Sequence, residues 1–161
     1  MVLVRETVAD DWQALRDIRL EALRDAPTAF ASTYERETLH NEAHWRDRIA
    51  RGGTFLAFIP EVSATEPAGL IGGYPEDPVT AELVSMYVRP RARGRGVGEA
   101  LVAAVIDWAG QRNAERVRLW VTETNVPARA LYERCGFALT GERQPVPSNP
   151  GLDEVVMTRP L

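Results

Sequence analysis

The stretch "VRPRARGRGVGEALV", Val88 to Val102, contains four arginines and three glycines. It joins a predicted strand that stops at Pro90 to a predicted amphipathic helix that starts near Gly98. The first N–H groups of a helix have no internal acceptors, and the helix dipole adds positive charge there. Glycine leaves room for a ligand because it has no Cβ. The stretch therefore predicts an anion site, and a pyrophosphate is the natural ligand.

The glycine spacing excludes two common phosphate loops. A dinucleotide fingerprint that starts at Gly94 needs its third glycine at position 99, which is Glu99. An ATPase P-loop needs a lysine, and all 19 basic residues are arginines. What remains is the pattern [R/Q]xxGx[G/A] over Arg93 to Gly98. Taken alone, this short pattern also fits a solvated turn.

Length and charge narrow the class of protein. A chain of 161 residues with 45% hydrophobic content is expected to form one packed core. The net charge of −4 should repel a polyanion, so nucleic-acid binding is not expected. The chain has no apolar run of membrane-spanning length and only one cysteine. These features predict a cytoplasmic protein that does not bind membranes.

The order of predicted elements is strand, two helices, three strands, helix, strand, helix and two strands. This order predicts a mixed α/β chain with one central sheet. Thr7 and Asp10 have the spacing of a capping box ahead of the first helix. The segments "VSATEP" and "QPVPSNPG" are predicted as loops between paired strands.

A second block, "LWVTETNVPARALYERCGF" from Leu119 to Phe137, follows the loop. Asn125 can cap the start of its helix, and Gly136 fits the C-terminal stop. Tyr132 lies on the apolar face of that helix, where its hydroxyl needs a partner. A core tyrosine bonded to backbone would satisfy the same pattern. Together, the loop and this block resemble the GCN5-related N-acetyltransferase (GNAT) family, most clearly from Glu82 to Phe137.

The resemblance implies a single GNAT-like α/β domain over residues 1–161. Its central sheet would have about six to seven mostly antiparallel strands, with about four flanking helices. The strands near 82–89 and 116–123 would splay apart in a V and hold the pantetheine arm of acetyl-CoA. The implied cofactor-binding residues are Met86, Tyr87, Val88, Arg93, Gly94, Arg95, Gly96, Val97, Gly98, Glu99, Asn125 and Tyr132.

Two residues are candidates for catalysis. By the resemblance, Tyr132 lies near the thioester sulfur and would protonate the departing thiolate. Glu82 is our candidate base, because strand alternation puts it on one face with Val84, Met86 and Val88, where an apolar setting would raise its pKa. A water-facing glutamate that takes no part in catalysis is an equally good interpretation of the pattern.

The predicted function is transfer of the acetyl group of acetyl-CoA to a primary amine of a small molecule, peptide or protein, by direct attack in a ternary complex. The alternative is a non-catalytic acyl-CoA sensor or structural module. A homodimer is possible, and no metal is expected, since His40 and His44 lack a third ligand.

The acceptor is less defined by the sequence than the donor. Tyr34, Glu35 and Glu37 could line an amine pocket, although a solvated helix start is the simpler explanation of these residues. Acidic residues there would mildly favour cationic amines.

Overall fold

A seven-stranded sheet forms the centre of the protein, in a computed structural model that describes all 161 residues. The strand order across the sheet is β1-β2-β3-β4-β5-β7-β6. The strands are β1 (Leu3–Glu6), β2 (Thr54–Phe58), β3 (Gly69–Asp77), β4 (Thr80–Val88), β5 (Arg116–Thr122), β6 (Ala138–Val146) and β7 (Asn149–Pro160). Every neighbouring pair is antiparallel except β4 and β5, which run parallel. The predicted mixed α/β fold with a mostly antiparallel sheet is confirmed.

Five helices flank the sheet, where about four were expected. They are α1 (Trp12–Asp25), α2 (Tyr34–Glu37), α3 (Glu42–Ala50), α4 (Val97–Gln111) and α5 (Val126–Arg134). The additional helix is α2, a single turn that Thr33 caps by accepting the Arg36 N–H. No helix is both long and apolar enough to span a membrane.

The helices divide into two layers, each with its own apolar cluster. On one face, α4 packs Leu101, Val102 and Val105 against the sheet. On the other face, α1 and α3 bury Leu15 and Trp45 in a second cluster. Both faces of the sheet therefore pack against helices.

The splay predicted between β4 and β5 is present. The parallel pairing runs only from Thr80 opposite Arg116 to Leu83 opposite Leu119. β4 then continues to Val88 and β5 to Thr122 without pairing to each other. The two strands therefore leave an opening, and the edge of β4 that faces β5 is free of strand partners from residue 84 onward.

A bulge interrupts β4 at the start of this opening. Val84 lies opposite Gly72 and Tyr87 opposite Leu70, so β4 uses three residues where β3 uses two. Ser85 carries the extra position with a φ of 62°, in the left-handed region that L-residues rarely adopt. An inserted residue reverses the alternation of side chains along the strand.

Two local predictions were wrong. Thr7 does not cap α1. Its Oγ1 donates to the Thr54 carbonyl, and Asp11 accepts the Val8 N–H ahead of the helix instead. The segment "QPVPSNPG" is also mostly strand, because β6 runs to Val146 and β7 begins at Asn149. Pairing within this long hairpin satisfies backbone groups that the proline and glycine content had suggested would be exposed.

Candidate functional site

The Gly/Arg loop lies between β4 and α4, as predicted. Gly94 and Gly96 have φ values of 78° and 80°, and Gly96 is the residue immediately before the helix. A Cβ at either position would meet no protein atom within 4 Å, so space is open beside both. The N–H groups of the first helical turn, at Val97, Gly98 and Glu99, have no acceptor within the helix. This geometry fits an anion such as a phosphate group.

The four arginines of the loop are not equivalent. Arg93 donates from Nε to the Val88 carbonyl at 3.0 Å and pairs with Asp25 at 3.1 Å. Arg89 pairs with Glu21 at 3.0 Å. These two side chains attach the loop to α1. Arg91 and Arg95 are exposed and form no ion pair, so they are the cations free to meet a phosphate.

The opening between β4 and β5 continues from this loop into the molecule. It encloses a cavity of about 90 Å³, with Met86, Val121 and Tyr132 in its walls. Because the Arg89 N–H donates to Ala68 on the β3 side, alternation along the strand turns the N–H groups of Met86 and Val88 toward the opening. Two backbone donors therefore face a slot that an extended amide-containing chain could enter.

The bulge contradicts one prediction for this strand. Met86 and Val88 pack toward α4, whereas Tyr87 packs against α1, with its hydroxyl on Glu21 and Asp25. Leu83, on the other side of the bulge, also faces the α4 layer. Glu82 therefore shares a face with Val84 and Tyr87, and not with Met86 and Val88. Plain strand alternation failed because it assumed an uninterrupted β4.

Tyr132 and Asn125 come together at the inner end of the slot. Asn125 Oδ1 accepts the Ala128 N–H at 3.3 Å and caps α5, as predicted. Tyr132 is 5% exposed, and its ring packs edge-on against Phe137. Burial, with a smaller contribution from Cys135, raises the pKa of the Tyr132 phenol above its ordinary value. The hydroxyl is thus protonated at neutral pH and could donate to a ligand in the slot.

Glu82 lines a second, larger cavity of about 550 Å³ on the α1 side of the sheet. Burial raises the pKa of its carboxyl to about 7; the nearby Arg118 opposes this, and Glu76 reinforces it. Arg118 lies 3.5 Å from Glu82 but also contacts Glu142 at 2.9 Å. At neutral pH, Glu82 can therefore both accept and release a proton.

The two cavities adjoin one another. They share six lining residues: Ala29, Phe30, Leu83, Val84, Ser85 and Trp120. The larger one has the size of a small-molecule site and lies between the sheet, α1, α3 and the β6–β7 turn. Ser148 in that turn donates to the Phe30 carbonyl at 2.6 Å and closes one side of the cavity. A ligand in the slot and another in the larger cavity would meet near Ser85.

The predicted amine pocket around "TYERE" is not where the cavity lies. Glu37 is buried between Arg19 and Arg48, at 2.8 and 3.2 Å. Burial alone would raise the pKa of Glu37, but the hydrogen bond and charge of Arg19, with help from Ser32 and Arg48, bring it down to about 2. Glu37 is thus permanently ionised and already paired, and Glu35 is exposed outside the cavity.

Sequence reasoning missed several residues in the walls of the larger cavity, among them Arg19, Arg48, Arg51, Ser85 and Glu154. Only Arg19 had a visible signal. It lies four positions after Leu15 and next to Ile18, within the apolar face of α1. A charged residue at such a position needs a buried partner, which here is Glu37. The remaining residues come from separate elements, and no spacing in the sequence connects them.

Known proteins share sequence and fold with this chain. Mycothiol acetyltransferase of Salinispora arenicola is 40% identical over 84 residues, covering 47% of this chain and 27% of that protein. This chain therefore spans only a minor part of the length of that relative. A GNAT-family acetyltransferase from Streptococcus pneumoniae shares the fold, with a TM-score of 0.82 and 20% identity over 100% of this chain and 99% of that one.

A protein of Salmonella typhimurium, whose structure was determined with its cofactor acetyl-CoA, has a TM-score of 0.79 and 19% identity over 100% of this chain and 94% of that one. At this identity the likeness concerns the fold. The family itself follows from the sequence match, because residues 12–137 match the model of the acetyltransferase (GNAT) family. That match spans the loop, β4, β5 and α5, and the chain therefore belongs to the GNAT family of acetyltransferases.

Proposed function

We propose that this protein transfers the acetyl group of acetyl-CoA to a primary amine, by direct attack in a ternary complex. The observation that carries the proposal is the junction of the two cavities. The slot ends at Tyr132, the larger cavity contains Glu82, and Ser85 borders both. This arrangement supports a reaction between two ligands that are bound at the same time.

Acetyl-CoA, the acetyl donor, would be bound by backbone groups more than by side chains. The pyrophosphate of acetyl-CoA would bind the N–H groups at Gly94 to Glu99, with Arg95 as the free countercharge. The pantetheine arm would bind the N–H groups of Met86 and Val88 in the slot. The Glu99 side chain is held by Arg134 at 3.0 Å, so its role here is limited to its N–H group.

The acceptor side must supply a neutral amine. An ordinary alkylammonium has a pKa near 10.4, so nearly all of it is protonated at pH 7. Glu82, with a pKa of about 7, would take the proton from the ammonium directly or through a water. The amine nitrogen then attacks the thioester carbonyl and forms the amide bond as the carbon–sulfur bond breaks. Tyr132 would donate its proton to the departing thiolate, and the proton that the attacking nitrogen loses on forming the amide would return through water to the Tyr132 oxygen, which leaves the amide and free CoA as products.

The test is release of free CoA, measured with a thiol reagent, across a panel of primary amines. We expect turnover by the wild-type protein and a fall in kcat of about 10²-fold or more in Tyr132→Phe, within the range of general acid catalysis. CoA affinity, measured by calorimetry, should change little in that variant because the pyrophosphate loop is intact. Tight CoA binding without turnover on the panel would contradict the proposal and support the non-catalytic acyl-CoA module instead. The cytoplasmic location, the possible homodimer and the lack of nucleic-acid binding stay predictions.

A further inference from the structure

The larger cavity has a strongly basic wall. Arg19, Arg48 and Arg51 line it from α1 and from the end of α3. The carboxylate paired within this group is Glu37, whose Oε1 accepts from Arg19 and Arg48 and whose Oε2 accepts from Arg19. Since Glu37 neutralises one of the three guanidinium groups, two positive charges remain on this side.

All three guanidinium nitrogens of Arg19 make hydrogen bonds within the protein. Its Nε and one terminal nitrogen bind Glu37, and the other terminal nitrogen donates to Ser85 Oγ at 3.3 Å. Its guanidinium also lies over the Phe30 ring. Arg19 therefore holds Glu37 and the bulge in place and offers little to a ligand.

Arg48 and Arg51 are different, because they keep donors free. Arg48 is half-buried and uses one terminal nitrogen, Nη1, for Glu37 at 3.2 Å. Burial, followed by the charge of Arg19, lowers the pKa of Arg48, as expected for a cation without enough countercharge. Arg51 is exposed and forms no ion pair. Glu6, which accepts the Gly53 N–H at 3.0 Å, does not pair with Arg51 either.

The opposite wall is acidic. Besides Glu82, it contains Glu154, which is 8% exposed and accepts from Gln144 Nε2 at 2.6 Å without a cation partner. Thr54 lies opposite Gly72, and Gly72 lies opposite Val84, so β2 and β4 are two strand spacings apart, about 10 Å. Arg51 lies three residues before Thr54 in the chain, and Glu82 lies two residues before Val84. A small molecule could thus reach both walls.

We propose that the amine acceptor also carries an anionic group, a carboxylate or a phosphate, that binds Arg48 and Arg51 while its amine faces Glu82. This inference rests on the proposed function and names the substrate class of that site. Guanidinium groups match both anions with paired hydrogen bonds. The free positive charge lies on the wall away from Glu82, so an anionic group there would bring the amine to the base. The acidic residues in the sequence had suggested only a mild preference for cationic amines.

The experiment uses matched amines that differ in the anionic group: lysine and cadaverine, phenylalanine and phenethylamine, and O-phosphoethanolamine and ethanolamine. We expect the anionic member of at least one pair to have a kcat/KM higher by on the order of tenfold or more, the worth of a charge-assisted hydrogen bond. The amino acids and the phosphate compound separate the carboxylate from the phosphate.

Variants connect that preference to the named residues. Arg51→Gln and Arg48→Gln should each raise KM for the anionic member about tenfold and leave KM for its neutral partner unchanged. Arg46→Gln is the matched control, since it makes the same charge change on α3 outside the cavity. Arg51 has no partner to lose, so Arg51→Gln should fold normally even if Arg48→Gln does not.

The experiment distinguishes failure of this inference from failure of the proposed function. Equal kcat/KM within every pair, or a preference that survives Arg51→Gln at full size, would overturn the inference and leave the acetyltransferase function standing. CoA binding without turnover on either member of any pair would overturn the proposed function, and this inference with it.

Discussion

The surroundings of the Glu82 carboxyl group have opposing effects on its pKa. Burial and Glu76 favour the neutral form, while Arg118 favours the charged form, and the resulting pKa is about 7. Arg118 is shared with Glu142 and, more distantly, Glu76, so its stabilisation of Glu82 is diluted. A carboxyl group at such a position can serve as a base near neutral pH, unlike an exposed glutamate.

This balance predicts the pH dependence of activity. As pH rises through about 7, Glu82 loses its proton and becomes able to accept one, so kcat/KM should increase and then level off. In Glu82→Gln, kcat/KM should fall by about 10²-fold or more, and the inflection near pH 7 should disappear. A pH profile of kcat/KM from 5.5 to 9 checks both. An inflection that persists in Glu82→Gln would assign it to another group and reject Glu82 as the base.

The junction between β4 and α4 combines two features that local sequence controls. Glycines in the left-handed region shape the loop, and the helix begins directly after Gly96 without a side-chain cap. A side-chain cap would occupy the N–H groups that the loop leaves free. Side chains at Arg89 and Arg93 attach the same loop to α1, so the loop is held from both sides.

Replacement of Gly96 tests this junction. Gly96→Ala should lower stability by about 1 kcal/mol, because φ is 80° at that position, and should also weaken CoA binding, since the new methyl group enters the open space beside the loop. Gly110→Ala is the matched control: Gly110 lies within α4 with nothing near its Cβ position, and the substitution should raise stability by about 0.5–1 kcal/mol. Urea denaturation and calorimetry with CoA measure the two effects. Unchanged CoA affinity in Gly96→Ala would contradict the assignment of the loop.

At the level of the whole molecule, the ligand sites lie where the two helical layers leave the sheet open. The α4 layer supplies the loop and the outer wall of the slot. The α1 and α3 layer supplies the larger cavity, and Arg19 on α1 donates to Ser85 at the bulge of β4. Binding of CoA would therefore contact elements from both halves of the chain.

Because of these contacts, we expect bound CoA to stabilise the whole fold. CoA at about 100 times its dissociation constant should stabilise the native state by about 2.7 kcal/mol and raise Tm by several degrees. NAD at the same concentration should have no comparable effect, because Glu99 stands where the dinucleotide motif needs glycine. Differential scanning fluorimetry makes the comparison. An equal shift with NAD would reject the coenzyme A assignment.

Patterns of neighbouring residues were enough to predict the succession of strands and helices along the chain. They also predicted the loop from Arg93 to Gly98, the Asn125 cap and the inward position of Tyr132. Each depends on periodicity, helix capping or glycine conformation, which act over a few residues. The same motifs carry the resemblance to the GNAT family, and that resemblance implied the mostly antiparallel sheet.

The cavity around Glu82 depends on contacts between distant segments and could not be predicted in the same way. The inserted residue at Ser85 becomes visible only when β4 is aligned with β3, and it reverses which side chains share the face of Glu82. Glu37 is neutralised by Arg19 and Arg48, which lie 18 and 11 residues away in the chain. The pKa of Glu82 and the free charge of Arg48 and Arg51 arise from burial and from partners on separate elements, and those quantities exist only once the chain is folded.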